Sequence, residues 1–452
     1  MKKQIICVLL AISIVFSFVG CSGKTADQGS TPAQTAPTAP KEEAAPKEEA
    51  TAEKVKFTLW HSYVGTDQRA PFMEERMGQF RAQYTNYEVD EQKIPRDQYQ
   101  TKLKTQAAAG QLPDAFVIWP NAMTIEFAKS NLLADINDLL SRNPEWKDGF
   151  VSRALDEFTV DGKTYSAGLG VSVTSIVFYN KALFEKYNLS YPKNYEELKN
   201  VITTFAKNGV IPIAHGNKPK WPAQSTIFSL MANRETGSEW LDNVLAKKGA
   251  QFTDPEFIRA LTKFKEITEL GAFNKDCISL DNVQMRDYFY KGEAAMMIDG
   301  SWAVPDVIAK APAELKANIE LDILPGFEGG KGDPNVMTGV SSTGIAISAK
   351  VSPQQKAAIE DLIVFLTNSE AQQMYAKHSI PVSYKNVTID KSAVDPIYVK
   401  LTDLIAKHPL VTVYDSALNS ELTEIINNGL QGIMVGKQTP EEVAKQLQAA
   451  LK

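Results

Sequence analysis

The sequence predicts an α/β protein built on mostly parallel sheets flanked by helices, and three observations carry that prediction. From Val55 onward, short β-rich runs alternate with amphipathic helical ones. Ala294–Ile298 is wholly apolar, the pattern of a strand buried on both faces of a sheet. The 452 residues, 44% hydrophobic and 23% charged, provide enough apolar material for two or three domains with their own cores.

Taken in order, Val55–Trp60 alternates and opens the body as a strand, delivering His61-Ser62-Tyr63-Val64-Gly65 into a loop. The next helix carries Met73, Met77, Phe80 and Tyr84 on one face at helical spacing. Tyr87–Ile94 reads as a second strand, Gln98–Ala109 as a helix closed by Gly110, and Ala115–Trp119 as a third strand with Pro120-Asn121 in the loop beyond it. Ala167–Phe178 is a long β-rich segment suited to leaving one domain and entering another. Asn194 and Glu197 form a capping box before the stripe Leu198, Val201, Ile202 and Phe205. Val210–His215 is the strand after it, and Asn217–Gln224 a loop that presents Trp221.

The helix begun by Thr253-Asp254-Pro255 turns Phe257, Leu261 and Phe264 inward and stops at Gly271. Then comes Gly292–Pro305, where the buried strand runs into Asp299-Gly300, with Ser301 expected as helix N-cap and Pro305 in the first turn. Ligands of open α/β sheets sit at such a corner. A carboxylate, a hydroxyl, free backbone N–H groups and an indole face suit a neutral polyol; the other reading is a core Trp behind an ordinary strand–turn–helix corner. Ile319–Leu324 is a strand, and Gly329-Gly330-Lys331-Gly332 lacks the spacing of a phosphate loop. Val340–Ser348 is a loop into a strand, Ser352–Gln355 a capping box, and the remainder reads as helical to the end.

Composition excludes several functions. The formal net charge is −6, which argues against nucleic-acid binding through a basic field. Cys7, Cys21 and Cys277 make no disulfide framework, and with His61, His215, His378 and His408 scattered there is no metal-ligand spacing. No GxSxG or HExxH motif occurs.

Lys2 and Lys3 precede an apolar run from Ile5 to Val19, a signal-peptide pattern over residues 1–20. Phe18-Val19-Gly20-Cys21 resembles a bacterial lipobox, with Phe18 where Leu is usual, which implies a lipid on Cys21; the alternative is a plain secretory signal. Residues 21–54, rich in Ala, Thr, Pro, Lys and Glu, then read as a flexible tether that holds the body just outside a membrane.

With these pieces assembled, 55–452 resembles the solute-binding proteins of sugar ABC importers, the maltose-binding-protein-like family. The likeness rests on the lipobox and tether, Phe178–Phe184, Gly292–Met297 running into Asp299–Trp302, Gly344–Ser348 and the Ser352–Thr367 helix, in that order. It implies a two-lobed periplasmic-binding-protein-like fold (type II), lobes joined by crossing strands with the ligand cleft between them. The first lobe would hold 55–169 and 322–378, the second 170–321 and 379–452. Loops at the carboxyl ends of strands line such clefts, which selects His61, Ser62, Asp67, Trp119, Asn121, Trp221, Gln224, Asp299, Gly300, Trp302, Ser341 and Ser342 as ligand-binding candidates. Trp60, Trp146 and Trp240 are assigned to packing.

The resemblance implies a monomeric binding protein, without catalysis, cofactor or metal, that carries a mono- or oligosaccharide to the permease subunits by lobe closure. The alternatives are the same fold for a non-sugar solute, a tethered glycoside-acting enzyme with two carboxylates, and an adhesin-like structural lipoprotein.

Overall fold

The computed structural model describes residues 53–451 apart from 66, 68, 152 and 386. The signal peptide, Cys21 and nearly all of the tether lie outside the described residues.

The first half of the chain follows the predicted alternation: β1 (Val55–His61), α1 (Ala70–Gln83), β2 (Tyr87–Lys93), α2 (Arg96–Ala108), β3 (Ala115–Ile118), α3 (Ala122–Lys129) and β4 (Leu133–Ala134). β1 lies parallel between β2 and β3, and α1 turns Phe72, Met73, Met77 and Phe80 into the core beneath them. The long segment predicted over Ala167–Phe178 is two strands, β5 (Val171–Val173) and β6 (Ile176–Asn180). The break is at Thr174-Ser175, whose hydroxyls turn to Thr338: Thr174 Oγ1 is 2.7 Å from Thr338 Oγ1, and Ser175 Oγ accepts from Thr338 N at 3.0 Å.

Next come α4 (Tyr195–Lys207), capped by Asn194 through the Glu197 N–H at 2.9 Å, and β7 (Ile211–Ala214). The loop predicted across Asn217–Gln224 ends early. Trp221 and Pro222 are already helical, and Ala223–Phe228 is a π-helical turn feeding α5 (Ser229–Thr236). Asn217 starts it by accepting the Ala223 N–H at 2.9 Å, a long-range cap that spacing does not reveal. α6 (Pro255–Glu269) buries Phe257, Leu261, Phe264 and Ile267, each contributing roughly 1.5–3 kcal/mol of apolar burial.

β8 (Ala294–Asp299) is buried at every residue. Ser301 does not cap the next helix. Residues Ser301–Ala303 form a 3₁₀ turn before α7 (Val304–Lys310), and the Ser301 hydroxyl instead accepts the Val173 N–H at 3.2 Å, tying this corner to β5. β9 (Ile319–Asp322), β10 (Met337–Ser341), β11 (Gly344–Ser348), α8 (Pro353–Thr367), β12 (Leu410–Val411), α9 (Ser420–Met434) and α10 (Pro440–Ala450) complete the frame. The boxes at Ser352–Gln355 and Thr439–Glu442 both form.

The sheets are mixed rather than mostly parallel. One has the order β2-β1-β3-β11-β4, with β11 antiparallel because the chain re-enters it from the opposite direction. The other has the order β9-β6-β8-β7, with only β8 and β7 parallel. Between them lies a small sheet, β12-β10-β5. β5 leads into the second large sheet and β10 into the first, so both crossings use the same ribbon. One apolar core draws on 57–169 and 345–380, with Trp60 and Trp146 in it. Two others cover the faces of the second sheet, and Trp240 packs at the edge of one of them.

Candidate functional site

A cavity of about 750 Å³ lies where loops from both large sheets meet. Its wall includes Trp119, which follows β3, together with Trp221 and Trp302 from the second lobe. All three indoles are half-buried. Trp221 and Trp302 stand 5.7 Å apart between ring centres and 68° from parallel.

The corner after β8 is built to aim one of these rings. Trp302 Nε1 donates to Asp299 Oδ1 at 2.6 Å, and the Gly300 N–H donates to the same oxygen at 2.8 Å. On the other oxygen, Arg286 donates from Nε at 3.0 Å and from Nη2 at 2.9 Å. Asp299 is completely buried and its oxygens are filled by these four donors. It does not line the cavity, so it does not present the hydroxyl acceptor expected of it; it orients the indole. Burial pushes its carboxyl above the ordinary value, offset in part by Arg286. Gly300 is fixed here by contact: a Cβ would lie 2.3 Å from the Trp302 ring.

Of the remaining candidates, Ser341 reaches the wall, while His61, Ser62 and Gln224 turn inward. His61 Nδ1 accepts the Tyr63 N–H at 3.2 Å, which puts the proton on Nε2, 2.8 Å from Glu91. Burial opposes ionisation of Glu91, but His61 and Arg81 hold it down to about 2. Ser62 is buried with its hydroxyl unpartnered among the described residues. Gln224 is buried in the π turn and donates to Ser229 Oγ at 2.8 Å.

Asp67 and Ser342 stand behind the wall, holding Arg69. The Arg69 fork donates to both Asp67 oxygens at 3.0 and 2.9 Å, and to Thr343 and Ser342 hydroxyls at 3.1 and 3.4 Å. Burial raises the Asp67 carboxyl, yet Arg69 outweighs it and holds it below the ordinary value. Ser341 receives support from Glu157, which accepts its N–H at 2.6 Å. Burial pushes Glu157 up to about 7 against the pull of Arg153. Asn121, in the left-handed region at φ 55°, donates to Ser416 Oγ at 2.6 Å on the far side of the cleft. A second bridge joins the same faces: Lys104 Nζ donates to Ser420 Oγ at 2.8 Å, and that hydroxyl donates to Glu126 at 3.3 Å.

Several charged residues on the wall were not anticipated, Arg96 and Asp415 among them. Arg96 opens α2, and its guanidinium lies 5.2 Å from the Trp221 ring centre and 6.0 Å from that of Trp302. It forms no hydrogen bond or ion pair with another described residue. Burial and neighbouring Arg69 lower its pKa. Asp415, on the short helix Tyr414–Ala417, shares the cavity; burial pushes its carboxyl up to about 6, while Arg96 and the Ser225 hydroxyl pull it down. Arg96 follows a strand end, the rule that selected His61, and could have been found that way. Asp415 carried no comparable signal. Among the described residues, no cluster of His, Cys, Asp or Glu could hold a metal ion, and no helix is long and apolar enough to cross a membrane.

Residues 75–402 match the sequence model of a family described as bacterial extracellular solute-binding protein. A multiple sugar-binding protein of Streptococcus mutans is 24% identical over 307 residues, covering 65% of this chain and 68% of that one. A solved structure from work on xylan utilisation by Caldanaerobius polysaccharolyticus superposes with a TM-score of 0.81 at 26% identity, covering 88% of this chain and all of the other. A maltose/maltodextrin-binding domain from Bdellovibrio bacteriovorus, solved with maltotriose, gives a TM-score of 0.69 at 17% identity over 88% of this chain and 98% of that one. This chain shares the two-lobed binding-protein fold with both solved structures.

Proposed function

The chain belongs to the bacterial extracellular solute-binding protein family, and from that premise we propose that it captures a carbohydrate in the interlobe cleft and delivers it to an ABC permease without turning it over. The observation that carries this reading is the wall itself, where three half-buried indoles from both lobes meet around polar side chains. Indole faces cover the C–H faces of sugar rings, and polar neighbours fix hydroxyls. In this reading Trp119, Trp221, Trp302, Ser341, Arg96 and Asp415 touch the ligand, and Asp67, Asn121, Asp299, Gly300 and Ser342 shape the surface they present. His61, Ser62 and Gln224 support it from further inside.

The lobes are proposed as 55–169 with 322–378, and 170–321 with 379–452. Ile323, Leu324, Phe327, Val336 and Met337 pack with the second sheet and the first core resumes at Ile345, so the return crossing falls between 337 and 345. Ligand touching both shifts the population to the closed form that a permease would recognise. The body works as a monomer outside the membrane, anchored through lipid on Cys21. A thermal-shift panel of sugars, amino acids, phosphate and metals tests the reading. Stabilisation by sugars supports it, whereas stabilisation only by an anion or a metal sinks the carbohydrate claim.

One observation favours a second reading, a tethered glycoside-acting enzyme: Asp415 has the raised carboxyl that a general acid presents in a sugar cleft. A bound oligosaccharide recovered intact after prolonged incubation excludes it.

A further inference from the structure

We infer that Arg153 and Glu157 are positioning residues for lobe closure: from the first lobe they grip the crossing ribbon and, through it, the second-lobe turn that faces the ligand. Neither lines the cavity. The inference rests on the closure reading above and deepens it.

The chain leaves the first core at Leu169 and joins the packing of the second sheet at Val173. It returns between Met337 and Ile345, and leaves again between Ile380 and Ile397. The turn around Arg153 touches each of these crossings. The Ala154 carbonyl accepts the Gly168 N–H at 2.8 Å, and the Val151 N–H donates to the Ser383 carbonyl at 2.9 Å. On the middle crossing the grip is made by side chains. Arg153 Nη1 donates to the Gly339 carbonyl at 2.9 Å and Nη2 to the Leu410 carbonyl at 3.0 Å. One planar guanidinium thus holds β10 and its neighbour β12 together. The same Nη1 donates to Glu157 Oε1 at 2.6 Å, and Glu157 Oε2 accepts the Ser341 N–H at 2.6 Å. The two side chains are only 24% and 13% exposed, so water competes weakly for these charge-assisted bonds.

Two routes lead from this pair to one place. β12 runs on toward the short helix Tyr414–Ala417, which puts Asp415 and Ser416 on the cavity wall. In the other direction, the Glu157 carbonyl accepts the Asn121 N–H at 2.7 Å, and Asn121 spans the cleft to Ser416 Oγ at 2.6 Å. The first route sets where the second-lobe turn stands, and the second sets the side chain that meets it. Rotation of the lobes twists the ribbon against the first lobe. A guanidinium fixed to two strands and to Glu157 resists that twist and favours the conformation in which Asn121 reaches Ser416. Apparent affinity scales with the populated fraction of the binding-competent form, so residues outside the cleft tighten binding in this way. Lysine is no substitute: its ammonium keeps the ion pair with Glu157 but lacks the fork that holds both carbonyls.

The test compares the natural full chain with Arg153→Lys, Glu157→Gln, Ser416→Ala and the Arg153→Lys, Ser416→Ala double variant. Each is titrated with the trisaccharides of glucose, xylose and N-acetylglucosamine, and release of the tightest is timed by stopped flow. Arg153→Lys and Glu157→Gln are expected to bind about tenfold weaker, chiefly through faster release. In the free chain both are expected to leave the cleft tryptophans more open to quenching by acrylamide. Because Arg153 acts through the turn that carries Ser416, the double variant should bind little more weakly than the worse single one. Normal binding by Arg153→Lys, losses that multiply in the double variant, or a lower unfolding midpoint with affinity unchanged overturns the inference and leaves the carbohydrate reading standing. Binding by no sugar overturns that reading; stronger quenching of the free variants then still supports the anchor, and equal quenching overturns it.

Discussion

The Trp302 indole hangs on Asp299 by a 2.6 Å hydrogen bond, and Asp299 in turn is locked to Arg286 out of contact with the cavity. Recognition by the ring and support by the carboxylate are therefore separable. Trp302→Ala is expected to weaken sugar binding by about 2 kcal/mol or more, roughly thirtyfold, as at other buried aromatic anchors. Asp299→Ala removes two of the hydrogen bonds of buried Arg286 and leaves it only Asp306, at 3.2 Å, and is expected to destabilise the fold by about 3 kcal/mol. Thermal unfolding and titration of both variants separate the two effects.

Gly300 gives a milder probe of the same corner. A methyl group there meets the Trp302 ring, so Gly300→Ala is expected to turn the indole aside. Sugar affinity should fall by more than the folded state loses, with a change in tryptophan emission reporting the displaced ring. Unchanged binding would show that the pose of Trp302 does not matter.

Asp415 ties pH to stability. Its folded value of about 6 lies above the ordinary 3.8, so between those values the folded chain holds more protons than the unfolded one. Stability from this group is complete below about pH 4 and is lost as pH rises through 6, at a cost on the order of 1–3 kcal/mol by pH 7. Asp415→Asn should therefore raise the unfolding midpoint at pH 7.5, leave it nearly unchanged at pH 4, and still weaken sugar binding. The charged group facing it is Arg96, so Arg96→Gln should raise the Asp415 pKa further and move that window upward.

Two side-chain bridges cross the cleft mouth, and in the lobe-closure account they form as the cleft closes. Ser416→Ala removes the acceptor of Asn121, and Ser420→Ala the link between Lys104 and Glu126. Each should cost about 0.5–1.5 kcal/mol of ligand affinity, a few-fold to tenfold, with little change in the stability of the free protein. Titration of both variants checks this; an equal loss of stability and affinity would make the bridges part of the resting fold.

The sequence made the frame legible because strand runs and caps are local. β1, β3, β8 and the boxes at Ser352 and Thr439 each arise from a few neighbouring residues. Trp302 stood out for the same reason, since strand, turn and ring are contiguous. The hidden features depend on distant partners. Nothing near Asp299 says that Arg286 will occupy it, and nothing near Asp415 says that it will share a cavity with Arg96. The π turn at Ala223–Phe228 and the break at Thr174-Ser175 are likewise set by bonds to residues far along the chain or outside the local period. The lobe boundaries and the ligand contacts are proposals, and the binding-site variants test the contacts.

The central claim, that the indole-lined cleft holds a sugar, is tested most directly by calorimetric titration of a neutral oligosaccharide into the full chain and into Trp302→Ala. The account predicts saturable one-to-one binding by the natural chain, weakened roughly thirtyfold in the variant, whose fold stays intact. Equal affinity in both proteins, or no heat from any sugar, would contradict it.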